Sequence, residues 1–354
     1  MLYKISGKDQ QRPIGRLPET IPNFYAYMLR VNGRKLGRVQ SRQFFECVNK
    51  IYRENHRVVY RGDKKSVVLP AFGIKEKGFP NQFNEALFMM GPKARMFVSS
   101  DRQREFEINI AAAENDEFAK IFRMLSHLLK KEFPYSARRV AMTGFRAREE
   151  QLTRYFGDDG NFDDFVKRTG QLIGEHRIIM RDYYLALLHH MDKSQYYTDS
   201  FLLSTTTSFE QAHGFAWKEE EKDSTNPIIL IGWVPKNFEG RLSAPDIRIL
   251  RNRMEVDKTG LPVYNFSFFP RQEEVTLKGG LFPHYMLGYI HNDPRKGEVL
   301  EINPALLQTT ADWDGVGLNI DQSSFHEYLR NSSFGRFFTV SQNDLRFEQH
   351  YRHL

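Results

Sequence analysis

The sequence predicts an α+β protein, a helical middle followed by a strand-rich second half. Two patterns carry that expectation. Apolar residues recur at helical spacing between about residues 82 and 191, most clearly at Phe118, Ile121, Phe122, Leu125 and Leu128. After residue 200, short runs rich in β-branched and aromatic residues follow one another at 200–204, 228–234, 247–250, 263–269, 275–277 and 284–290. There is no internal repeat and no low-complexity tract. The 354 residues suffice for a sizeable core, and an aromatic content of 14% argues against a disordered chain.

Residues 1–40 read as extended segments and turns, with Asn32-Gly33 as a hairpin signal. Ser41 is an N-cap candidate for a helix over 44–54 with Phe44, Val48 and Ile51 on one face. A short β-rich run at 57–60 ends at Arg61-Gly62. Helices then dominate from Gln82, with Pro134 as a stop, and continue over 152–156, 162–173 and 177–191. His189-His190 closes the last of these, where positive charge suits the helix dipole. Residues 209–217 form a helix behind the 200–204 strand, and 219–226 a charged loop. The strands of both halves are expected to build a single domain over 1–304, with an irregular tail over 305–354.

No apolar run reaches the roughly 18–20 residues of a membrane span. The start mixes Lys4, Lys8 and Asp9 into polar sequence, so neither a signal peptide nor a membrane partner is expected. Cys47 is the one cysteine, which excludes an internal disulfide and a cysteine-rich zinc site. It lies on an apolar helix face and reads as a small core residue. A cytoplasmic, metal-free protein is the simplest expectation. Lys plus Arg exceed Asp plus Glu by seven, which favours an anionic partner such as nucleic acid.

Three motifs bear on chemistry. Val58-Val59-Tyr60-Arg61-Gly62 delivers one arginine from an apolar strand; such an arginine holds phosphate oxygens bidentately, and the glycine lets backbone come close to a ligand. A surface arginine before a turn would have the same sequence. Phe201 to Ala212 runs from an apolar strand into Ser204, Thr205, Thr206, Thr207 and Ser208, then into a helix. Ser208 suits an N-cap with Gln211 three residues on. Phe269 to Leu277 carries Gln272, Glu273 and Glu274 into a strand, and a solvated strand edge would carry the same residues.

In this order the three motifs resemble the Arg–Ser–Glu clade of ADP-ribosyltransferases. Tyr60-Arg61-Gly62 with Leu69-Pro70-Ala71-Phe72 also resembles the FRG domain of prokaryotic toxin and defence proteins. The resemblance implies a split β-sheet core, with the helices of about 82–191 as an insertion. It implies a mono-ADP-ribosyltransferase that uses NAD as co-substrate and needs no metal. Glu274 would stabilise the reacting ribose, and Arg61 would hold the phosphate or ribose region. Ser204 would organise the pocket, with Gly62, Thr205, Thr206 and Phe209 as further NAD-binding candidates. Which hydroxyls of 204–206 point inward is left open, since one register slip reverses the set. In the resembling family glutamine two residues before the catalytic glutamate accompanies asparagine or guanine-type acceptors. Gln272, with the basic balance, therefore directs the expectation to an RNA or DNA base. Arg138, Arg139, Arg146, Arg148 and the arginines of 248–253 are candidate phosphate contacts. A protein side chain as acceptor, and a non-catalytic nucleic-acid-binding protein on the same fold, are the alternatives. An antitoxin or chaperone partner is implied by the family alone.

Overall fold

A computed structural model describes residues 24–53, 57–90, 115–134, 136–191, 202–217, 227–234, 259–264, 273–278 and 286–307. Its centre is one sheet of eight strands: β1 (Met28–Val31), β2 (Arg34–Lys35), β3 (Arg57–Lys64), β4 (Leu202–Thr206), β5 (Pro227–Val234), β6 (Glu274–Lys278), β7 (Met286–Asp293) and β8 (Gly297–Ile302). Their spatial order is β2-β1-β8-β7-β5-β3-β4-β6. Neighbours are antiparallel except β1 and β8, which run parallel. The α+β expectation holds at this level. The sheet is one continuous order of strands, but it narrows sharply at one join. β3 pairs with β5 along its whole length, from Arg57 opposite Val234 to Lys64 opposite Pro227, whereas it meets β4 at Tyr60 opposite Thr206.

Nine helices are described: α1 (Arg38–Arg53), α2 (Lys65–Ala71), α3 (Asn81–Met90), α4 (Asn115–Lys130), α5 (Ala137–Arg148), α6 (Glu150–Gly157), α7 (Phe162–Gln171), α8 (Gly174–Met191) and α9 (Phe209–Ala216). Two apolar cores result. One lies on the sheet, where Phe44, Cys47, Val48 and Ile51 of α1 are buried with Val58, Tyr60, Phe83, Ile229 and Tyr289. The other is helical, with Phe118, Phe122 and Leu125 of α4 against Phe156, Phe165 and Tyr184. Helix α8 has no polar stripe in its last turns: residues 183–191 are all buried, as a helix sunk inside a protein requires. Its buried Arg181 faces Glu117 of α4 at 3.6 Å.

Several sequence expectations need correction. Ser41 does not cap α1; the helix begins at Arg38, and the Ser41 hydroxyl donates back to the Gly37 carbonyl at 2.9 Å. Arg61-Gly62 does not end the third strand, because pairing to β5 carries the extended backbone on to Lys64. Strand β8 and helices α2 and α5 were not foreseen, and residues 263–264 are not strand. The hairpin at Asn32-Gly33 is present, both residues having positive φ (49° and 75°), as its tight turn demands. The expected strand at 247–250, residues 265–269 and the tail beyond Leu307 lie outside the described residues. Among the described residues no helix is long and apolar enough to cross a membrane.

Candidate functional site

The join between β3, β4 and β6 brings together strands that carry Arg61, Ser204 and Glu274, more than two hundred positions of chain apart; register sets Tyr60 opposite Thr206, so Arg61 projects from the other face and meets β4 at its backbone. Strand order places their three strands side by side. Antiparallel register sets Ser204 opposite Thr276 and Thr206 opposite Glu274. Opposed residues share a face of a sheet, so Ser204, Thr206, Glu274 and Thr276 form one hydroxyl-and-carboxylate face. Thr205 points the other way; its buried hydroxyl donates to the Val275 carbonyl. The register left open by the sequence is thereby fixed.

Arg61 Nη1 donates to the Ser204 carbonyl at 2.9 Å, across the gap where β3 and β4 cease to pair. Its Nη2 reaches Asp63 Oδ2 at 3.1 Å, so the guanidinium lies between a strand backbone and an acid on its own strand. Glu274 is the first residue of β6. Thr276 Oγ1 donates to Glu274 Oε1 at 3.0 Å. Just before it, Glu273 has a φ of +46°, a left-handed backbone costly for a residue with a long side chain. The Thr207 amide donates to the Glu273 carbonyl at 3.2 Å and holds that bend against the end of β4.

Two histidines complete the cluster. His189 Nε2 lies 2.8 Å from Ser204 Oγ, and His190 Nε2 lies 2.8 Å from Glu274 Oε2. Both come from the last turn of α8. Burial pushes the Glu274 carboxyl up, but the charge of His190 and hydrogen bonds from His190, Ser204 and Thr276 outweigh it. The net direction is below the ordinary carboxylate value, so Glu274 is held ionised. Sequence reasoning missed both histidines, treating them as a favourable helix end. The available signal was their place directly after the apolar run of 183–188: polar side chains that become buried there need partners. Helix α8 also anchors the chain upstream of Glu274, since the Tyr183 and Tyr184 hydroxyls donate to the carbonyls of Tyr264 (3.0 Å) and Pro262 (2.8 Å).

Of the remaining candidates, Gly62 serves the fold. A Cβ there would fall 1.8 Å from the Ala212 carbonyl oxygen, so the absent side chain lets the α9 backbone lie against β3. The hydroxyl of Thr206 accepts from the Ser208 amide at 3.0 Å. Ser208 in turn caps α9 by accepting from the Gln211 amide. Phe209 packs edge-on against Tyr60, ring centroids 5.5 Å apart. Gln272 lies outside the described residues, as do the arginines of 248–253. Arg146 is engaged in the fold, donating to the carbonyls of Leu128 and Lys131 behind α4. Among the described residues no group of three or more His, Cys, Asp or Glu side chains is gathered for a metal ion. No family model, no curated protein and no solved structure matches the chain.

Proposed function

We propose that the chain is an NAD-dependent mono-ADP-ribosyltransferase acting at the β3–β4–β6 join. The observation that supports this best is that Arg61 donates to the Ser204 carbonyl while Thr276, directly opposite Ser204, donates to Glu274. In the reaction the bond between ribose C1′ and the nicotinamide nitrogen breaks, and nicotinamide leaves with the electron pair. Positive charge develops on the ribose, and an ionised carboxylate beside it lowers the barrier. Glu274, held ionised beside the Thr276 hydroxyl and 2.8 Å from His190 Nε2, suits that role. Arg61 would hold an anionic oxygen of the dinucleotide, an interaction worth roughly 1.5–3 kcal/mol when the hydrogen bond is charged. The acceptor atom then bonds C1′ and releases its proton to solvent.

For the acceptor we propose a nucleic-acid base. The support is the amide of Gln272, which both donates and accepts, and the excess of seven basic residues. The setting would be a toxin of defence or toxin–antitoxin type, held in check by a partner protein. Transfer from tagged NAD to total cellular acceptors tests the whole proposal. Label removed by nuclease and resistant to protease is expected, and the reverse pattern assigns a protein acceptor. If Glu274→Gln and Arg61→Ala both turn over NAD like the parent, the transferase reading is wrong. Salt-sensitive binding of nucleic acid without NAD turnover would instead mark a non-catalytic binder.

A further inference from the structure

We infer that His189 and His190 are positioning residues of this site, holding Ser204 and Glu274 in place from one turn of α8; the inference rests on the transferase reading. Consecutive residues of a helix point about 100° apart. Here that divergence lets one turn of α8 reach two neighbouring strands, His189 to Ser204 of β4 and His190 to Glu274 of β6.

Counting protons gives the direction. In this scheme the single hydrogen of the Ser204 hydroxyl is directed at the ionised carboxylate, so its oxygen accepts from His189, which presents Nε2–H at the 2.8 Å contact. Thr276 donates to the same carboxylate, and His190 Nε2 stands 2.8 Å from its other oxygen. Without His190 the carboxylate loses the ring 2.8 Å from it and can turn. Without His189 the Ser204 hydroxyl can rotate away. Neither histidine touches the reacting atoms in this scheme; each acts through the group it holds.

The test uses the full chain and steady-state NAD hydrolysis, with thermal melting recorded for each variant. His190→Ala is expected to lower kcat by about 10²-fold, the usual effect of misplacing a reacting group, while KM for NAD stays within about threefold. His190→Gln, which keeps a donor without the imidazole, should fall between parent and alanine, and added imidazole should raise the alanine variant. His189→Ala should behave likewise with a smaller loss. Nitrogen-15 spectra of the histidine rings provide a readout that a purely structural role would not move. His189 protonated on Nε2 in the parent is expected, and an unprotonated Nε2 overturns the scheme. Alanine and glutamine variants that keep kcat within about twofold, beside an inactive Glu274→Gln, overturn the inference and leave the transferase reading standing. A parent chain without NAD turnover overturns both.

Discussion

Two clusters of arginine, carboxylate and histidine sit towards opposite ends of the same sheet, and they are built differently. At the β1–β8–β7 end, Arg30 reaches Asp293 at 3.0 Å and Glu301 at 3.2 Å, and donates to the Gly33 carbonyl. Glu301 accepts in turn from the Gly33 amide at 3.2 Å. Every partner belongs to a strand or to the Asn32-Gly33 turn. Glu301 is wholly buried, and the Phe79, Tyr289 and His291 rings pack together beside it. The cluster ties the parallel β1 to the rest of the sheet. At the β3–β4–β6 end the carboxylate opens the last strand in the order, and its histidine partners arrive from a helix. The Glu274 side chain keeps 12% of its surface exposed and Arg61 keeps 20%. Similar residue types thus serve as a rivet where the sheet supplies all partners. They form a candidate site where strand pairing runs out and a second element must supply them.

The largest effect expected from this contrast is an exchange of phenotypes. Glu274→Gln should cut NAD turnover by about 10²–10³-fold, the scale of losing one charge-stabilising group, with little change in melting. Arg30→Met should do the opposite. It leaves Glu301 buried beside no guanidinium, at a cost of about 3–5 kcal/mol, with turnover per folded molecule unchanged. Parallel calorimetry and NAD hydrolysis on the two variants measure both, and a shared phenotype would dissolve the distinction.

A smaller effect is expected at Gly62, beside the candidate site and outside both clusters. An alanine methyl would drive into the Ala212 carbonyl and force α9 off β3, costing about 1–3 kcal/mol in chemical denaturation. An unaffected midpoint would mean that α9 is not seated as described.

The smallest effect concerns acid. Because the folded Glu274 carboxyl titrates below its unfolded value of about 4.5, its ionised form favours the folded state. That contribution is complete above about pH 4.5 and is lost as the pH falls through the folded value. Glu274→Gln should therefore flatten the decline of stability below that pH, in denaturation midpoints measured from pH 6 down to pH 3. An acid limb identical to the parent's would show that the carboxylate is not held by His190, Ser204 and Thr276.

How much of this could be read beforehand varies by element. Helix α4 announces itself through Phe118, Ile121, Phe122 and Leu125, which occupy one helical face and are all buried. Ser208 caps α9 as its position suggests, and Asn32-Gly33 turns a hairpin. These are local matters, decided by side-chain period, capping chemistry and allowed φ. The trio Arg61, Ser204 and Glu274 was named through the resemblance of its three motifs to a known family, although nothing local joins them. The histidines were not, because a pair at a helix end has an adequate local explanation.

Residue order and composition thus specify the strongly periodic helices and several strands, but not β8, α2 or α5. The folded chain settles three further things: that Ser204 and not Thr205 shares a face with Glu274, that Gly62 admits a helix, and that His189 and His190 complete the cluster. Each depends on strand register or on one element meeting another far along the chain. Such contacts follow from burial and pairing summed over the whole molecule, and no window of neighbouring residues contains them.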